Sequence, residues 1–150
     1  MDNLSKRIAI GSDHAGFRLK EAIKDILLKN DYAIQDFGTY SNESVDYPDF
    51  THPVAKGVND GIFSWGIVIC GSGNGANMTA NKYRFVRAAL CWNVEIAYLA
   101  RLHNDANIIA LPARFIAEEV ALEAVKVFLA TDFEGRRHCR RVEKISNLLL

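Results

Sequence analysis

Trp65-Gly66-Ile67-Val68-Ile69-Cys70-Gly71-Ser72-Gly73-Asn74-Gly75 is the stretch on which the reading of this 150-residue chain turns. Its four successive apolar residues, 67–70, show no alternation and predict a strand buried on both faces, as in a parallel sheet covered by helices. The strand runs into a loop with glycine at three alternate positions, where backbone N–H groups can converge on an anion because no Cβ blocks the approach. Cys70 opens that loop and Ser72 follows. A thiol beside an anion-holding nest is poised to act as thiolate. Read alone, the segment fits equally a catalytic loop and a Gly-rich βα turn with an inert, buried cysteine.

Working outward, strand and helix alternate along the whole chain. Residues 7–10 predict a first strand ending at Gly11, and Leu19, Ala22, Ile23, Ile26 and Leu27 mark one face of a helix. Residues 32–37 predict a second strand. A turn-rich segment, 38–48, leads to a helix marked by Phe50, Val54, Ala55 and Val58 that stops near Gly61. After the strand at 65–70, a short helix is expected to begin near Ala76, and a fourth strand to span 86–91. Asn93 is placed to cap a helix running through Arg101. A fifth strand follows at 107–111, then a helix with Val120, Ala121, Ala124, Val125, Phe128 and Leu129 in one stripe. Val142, Ile145, Leu148 and Leu149 mark a last helix whose apolar face suits a second subunit.

Five such alternations imply one α/β domain over residues 1–150: a five-stranded parallel sheet with right-handed crossovers and helices on both faces. Ligands bind such sheets beyond the carboxyl ends of the strands. Three loops there carry functional groups: Ser12-Asp13-His14, the Cys70 loop, and Pro112-Ala113-Arg114. Their expected convergence favours the active-site reading of Cys70.

Composition narrows the chemistry. With 49% hydrophobic residues and zero formal net charge, the chain can build a proper core and carries no field to recruit nucleic acid or an anionic membrane. No run has signal-peptide or membrane-span length. Three cysteines, Cys70, Cys91 and Cys139, without C-x-x-C spacing, argue against a disulfide framework or zinc site and for a reducing cytoplasm. Cys91 reads as core and Cys139 as incidental.

Residues 136–141 hold four arginines and a histidine. Arg137 and Arg141, four apart, share a helical face and make a fork for a phosphate group. No aromatics interleave for base stacking, so a small phosphorylated ligand is the better reading. The dinucleotide fingerprint fails because the third glycine comes one residue early, and no Gly-Lys-Ser/Thr is present for a Walker loop. Ala76 stands where a cysteine phosphatase would place its arginine. Phosphate is therefore read as a handle and not as the reacting centre.

Six motifs occur in order: Gly11-x-Asp13-His14-x-Gly16, Asp46-Tyr47-Pro48, Cys70-Gly71-Ser72-Gly73-Asn74-Gly75, Ala80-Asn81-Lys82, His103-Asn104-Asp105-Ala106-Asn107 and Glu134-Gly135-x-Arg137-His138-x-x-Arg141. In this the chain resembles the type B ribose-5-phosphate isomerases, a family that includes the galactose-6-phosphate isomerase subunits. The resemblance implies a Rossmann-like three-layer sandwich with a C-terminal dimerisation helix. It implies a cofactor-free and metal-free aldose–ketose isomerase built on a homodimer or a dimer of dimers. Topology adds that His103, after the fourth helix and before the fifth strand, stands at the amino edge of the sheet and Cys70 at the carboxyl edge, so each active site is expected to be shared between two subunits.

Residue by residue, the resemblance makes Cys70 the base that moves a proton between C2 and C1. Ser72 and the N–H groups of Gly71, Gly73, Asn74 and Gly75 become oxyanion donors or substrate contacts. His103 becomes the ring opener with Asp13 assisting, Asn104 a sugar ligand, and His14, Arg137 and Arg141 the phosphate site. Arg114 and Tyr47 match lesser contacts, and His138 a structural group or minor phosphate contact. Some relatives carry a glutamate base just after the last loop glycine. Here that position is Ala76, which leaves Cys70. The His103–Asn104 pair points to a pentose substrate, with allose 6-phosphate, galactose 6-phosphate or a non-catalytic sugar-phosphate sensor as alternatives.

Overall fold

The computed structural model describes residues 6–147. In chain order they form β1 (Arg7–Ser12), α1 (Phe17–Lys29), β2 (Ala33–Asp36), α2 (Tyr47–Asn59), β3 (Trp65–Cys70) and α3 (Asn74–Ala80). There follow β4 (Ala88–Leu90), α4 (Val94–Asn104), β5 (Ile108–Pro112), α5 (Glu118–Ala130) and α6 (Arg137–Ser146). The strands make one sheet of order β2-β1-β3-β5-β4, and every adjacent pair is parallel. This is the expected α/β sandwich.

The unbroken apolar run of β3 has the reason anticipated for it. Ile67 and Ile69 point into one core with Ile8, Ile10, Ile23, Val125 and Phe128, beneath α1, α4 and α5. Val68 and Cys70 point into the other with Val54, Ala55, Ala76 and Ala80, beneath α2 and α3. A strand covered on both faces has no solvent side, so alternation disappears. Each large aliphatic buried this way contributes roughly 1.5–3 kcal/mol.

The strand order reverses between β1 and β3. The chain leaves β1 outward to β2, then returns across to β3 and continues the other way. The loop after β1 therefore runs toward α1 on one face, and the loop after β3 toward α3 on the other. A crevice opens between the two carboxyl ends, the usual ligand position in open α/β sheets.

At the far end of β2, Lys20 is fully buried yet bound to Asp36 Oδ2 at 2.6 Å and to Glu21 at 2.9 Å, while Lys24 reaches the same Asp36 oxygen at 2.7 Å. Burial pushes the Asp36 carboxyl up, but hydrogen bonds from Lys20 and Lys24 outweigh it and hold the group below its ordinary value. Asp36 Oδ1 accepts from Gly38 N at 2.8 Å, so this ion cluster also anchors the start of the 37–46 loop.

Element boundaries differ from expectation in four places. β4 covers only Ala88–Leu90, because Val86 N turns back to Tyr83 O and Arg87 N is taken by the Asn107 side chain, although Cys91 N still reaches Ala110 O. α3 starts at Asn74, before Ala76, since Gly73 adopts φ 77 and turns the chain at once. α2 starts at Tyr47, with Pro48 in its first turn.

α4 is capped by Asn93, whose side chain accepts from Ile96 N at 2.9 Å, as expected, but it continues past Arg101 to Asn104. Arg101 does not end the helix. Its buried guanidinium stacks over Trp65 and donates to Ala106 O and Thr131 O. The helix stops at Asp105, in the left-handed conformation that Asp tolerates.

α6 packs on α4. Ile145 on α6 is 52% exposed, so part of the anticipated apolar face is open. Leu148 and Leu149, read as the rest of that face, lie outside the described residues. Among the described residues no helix is long and apolar enough to cross a membrane.

Candidate active site

The carboxyl edge of the sheet gathers the first group of expected residues. Cys70 closes β3 opposite Pro112 of β5 and is 4% exposed. Its carbonyl accepts from Ala113 N at 2.9 Å, and Gly71 O accepts from Arg114 N at 3.0 Å, so the β3 and β5 loops run together. The Arg114 side chain lies over Gly71, 3.2 Å from where a Cβ would stand. Across the crevice, Asp13 N donates to Ile69 O at 3.2 Å, and the buried Asp13 carboxylate accepts from Gly16 N at 3.2 Å. This ties Asp13 to the β3 end and fixes the βα turn.

Within the glycine loop only Gly73 uses the left-handed region. Gly75 is required by contact instead, since a Cβ there would enter the Tyr47 ring. Tyr47 thus covers the loop from the start of α2. Ser72 Oγ accepts from Asn74 N at 3.3 Å, which orients the hydroxyl and leaves its proton free to donate. His14 Nδ1 accepts from Val45 N at 3.1 Å. That bond assigns the proton of neutral His14 to Nε2, the nitrogen left free for an anion.

The structure does not bring the remaining expected residues to this edge. His103 and Asn104 occupy the last turn of α4, which runs antiparallel to the strands, so they stand at the amino edge. His103 is inside the helix and not in a loop after it, because α4 is longer than its apolar pattern indicated. Neighbouring bonds confirm the position: Arg87, just before β4, donates to Asp105 O at 2.9 Å, and Asn107 N donates to Arg87 O at 3.0 Å. From Gly66, paired with Ile108, to Cys70 the sheet rises roughly 13 Å.

Arg137 and Arg141 lie at this second edge, exposed on one face of α6. The turn before α6 passes through Gly135 (φ 74) and Arg136 (φ 53), and Glu134 N donates to Leu102 O at 3.0 Å. The same turn stacks the His138 ring on His103, with centroids 4.4 Å apart and an interplanar angle of 18°. Burial pushes the His138 imidazole below its ordinary value, and His103, Arg137 and Arg141 add to the effect against Glu134. An open groove of about 940 Å³ beside α6, walled by Lys82, Arg84, Arg87, Asn104 and Ile145, does not include Cys70 or Asp13.

Two features escaped sequence reasoning. Glu134 Oε2 lies beside the Nε2 atoms of both imidazoles, 3.9 Å from that of His103 and 3.6 Å from that of His138, a contact that its place in the last motif did not reveal. Val45, through its backbone, orients His14, a contact across 31 residues with no local signal. Cys91, read as core, is fully buried, and burial pushes its thiol up to about 12. Cys139 is exposed.

Comparison with known proteins identifies the family. Residues 8–145 match the Ribose/Galactose Isomerase family. Ribose-5-phosphate isomerase B of Escherichia coli K12 is 41% identical over 141 residues, 94% of this chain and 95% of that protein. The structure of Clostridium thermocellum ribose-5-phosphate isomerase B superposes with TM-score 0.92 at 50% identity, covering 94% of this chain and 95% of that one. That of Mycoplasma genitalium ribose-5-phosphate isomerase B with bound ribulose-5-phosphate superposes with TM-score 0.91 at 40% identity, covering 94% of each chain. A match of this extent, over both edges of the sheet and every motif loop, places the chain in the ribose/galactose isomerase family.

Proposed function

We propose that this protein interconverts ribose 5-phosphate and ribulose 5-phosphate, acting over residues 1–150 as one cytoplasmic isomerase domain. The observation that carries the reading is the crevice between β1 and β3, where a cysteine, a carboxylate, a hydroxyl and the glycine loop meet. The family relatives named above, one holding ribulose-5-phosphate, support the choice of substrate.

The reaction needs four services. Opening the furanose requires a proton delivered to the ring oxygen and one removed from the anomeric hydroxyl, work assigned to His103 with Asp13. The Cys70 thiolate then takes the C2 proton of the aldose, and the electron pair moves toward O1 to give an enediolate. Ser72 and the loop N–H groups stabilise that oxyanion, an effect worth a few kcal/mol per donor. The proton on O2 then passes to O1, the freed O2 pair closes the C2=O bond, and the C1–C2 π pair takes the proton back from the Cys70 thiol at C1. His14, Arg137 and Arg141 hold the phosphate, while Asn104, Tyr47, Arg114 and the loop residues line the sugar.

Cys70 and His103 stand at opposite edges of one chain, so the reading includes a homodimer. In it the partner subunit's His103 and the arginines of its α6 reach this subunit's Cys70. The open part of the α6 face suits that contact. Purified protein should form ribulose 5-phosphate from ribose 5-phosphate with kcat/KM at least about tenfold above that for allose 6-phosphate, the discrimination one extra carbon can give. Turnover of neither sugar, with binding retained, would replace this reading with a sensor.

A further inference from the structure

We propose that His103, Glu134 and His138 form a binding site for a d-block dication of the zinc class, complete within one chain, and that its occupation inhibits the isomerase. Glu134 Oε2 lies 3.6 Å from His138 Nε2 and 3.9 Å from His103 Nε2, and the three donor atoms all fall within 4.8 Å of one another. Tetrahedral Zn²⁺ with N and O ligands holds its donors about 3.3 Å apart. The two carboxylate–imidazole gaps close by under about 1 Å and the widest donor pair by about 1.5 Å, which rotation about the broad χ2 torsion of the imidazoles supplies.

A second observation points to a ligand independently. His138 is only 5% exposed, and its Nε2 is buried without a hydrogen-bond partner, since 3.6 Å to Glu134 exceeds hydrogen-bond reach. Buried imidazole nitrogens are normally paired. This one is aimed at a carboxylate that stops short of it, with a second imidazole alongside. Both Nε2 atoms lie beside the same Glu134 oxygen, and because near-parallel rings carry near-parallel lone pairs, one imidazole turns about χ2 out of the stack to share an ion. The backbone holds the arrangement: Glu134 N is bound to Leu102 O and His138 N to Gly135 O, each at 3.0 Å.

Two imidazoles and one carboxylate select Zn²⁺, Co²⁺, Ni²⁺ or Cu²⁺ over Mg²⁺ and Ca²⁺, which favour oxygen shells. Three protein ligands leave a fourth position for water. Arg137 and Arg141 carry like charge nearby and weaken the site, which suits a reversible ligand. Inhibition rests on the ring-opening role given to His103 above: a metal on Nε2 takes the lone pair that would exchange protons with the sugar.

The test uses Co²⁺ on chelator-treated full-length protein, because its visible spectrum separates nitrogen and oxygen ligation from thiolate ligation. One Co²⁺ per chain should bind without a sulfur charge-transfer band, and equally in the Cys70→Ser/Cys139→Ser double variant. Glu134→Gln, in an exposed turn, and His138→Gln should each weaken binding by at least about tenfold. Binding lost in the cysteine variant, or unmoved by Glu134→Gln, would overturn the site. Zn²⁺ should inhibit turnover of wild-type protein over the range in which it displaces Co²⁺, with Glu134→Gln shifting both alike. Full turnover at saturating Zn²⁺ would overturn the inhibitory role. Metal binding as expected in a protein that isomerises no sugar phosphate would uphold the site and sink the isomerase reading alone.

Discussion

Cys70 ends β3 at one edge of the sheet, and His103 ends α4 at the other, with the rise of the central strands between them. Two groups so placed cannot touch one sugar within a chain, and a two-fold partner would resolve the separation. Mixing Cys70→Ala with His103→Ala under subunit exchange tests this. In a random mixture about half the dimers are hybrids, each with one intact site, so about a quarter of wild-type activity should return. Absence of recovery, with hybrids confirmed by mass spectrometry, would place both residues in one subunit's site.

Cys70→Ser should lower kcat by about a hundredfold to ten-thousandfold, the range for a positioned base. The hydroxyl keeps the shape but is a far weaker acid–base group, so sugar-phosphate binding should persist by calorimetry. Alkylation of wild-type Cys70 should inactivate the enzyme and be slowed by substrate. Near wild-type turnover in the variant would make Cys70 a core residue only.

Arg137→Ala and Arg141→Ala should each raise KM for ribose 5-phosphate with little change in kcat, because a phosphate anchor is felt equally in ground and transition states. Inorganic phosphate should compete weakly with substrate. Equal KM values for ribose and ribose 5-phosphate in the wild type would remove the anchor role.

Asp36→Asn should destabilise the fold at pH 7 by about 3 kcal/mol, since it strips the fully buried Lys20 of its 2.6 Å partner. The Asp36 carboxyl sits below its ordinary 3.8 in the folded protein, so its stabilisation is complete above that pH and is lost as pH falls through the folded value. Urea unfolding of the two proteins should therefore show the gap narrowing below about pH 4. A gap independent of pH would assign the loss to packing instead.

Sequence by itself determined the alternation of strands and helices, the double burial of residues 67–70, the Asn93 cap and the shared helical face of Arg137 and Arg141. These are local properties: periodicity, cap chemistry and spacing are set by neighbours a few residues apart. It also marked the residues of the candidate site, because glycines, thiols and arginines at fixed offsets carry their chemistry wherever the chain places them. Tertiary structure alone decided the strand order, and with it the crevice between Asp13 and Cys70. Pairing of parallel strands depends on how distant helices pack and leaves no periodic trace. The same holds for Val45 orienting His14, for Tyr47 lying on Gly75, and for the Glu134 carboxylate at the Nε2 edge of two stacked imidazoles. The end of α4 belongs here too. Its apolar stripe fades near Arg101, yet the helix continues because that arginine is buried against Trp65 and clamps the backbone beyond it. That extra turn holds His103 within the helix, while its place at the amino edge already follows from its lying between the start of α4 and β5 in the chain.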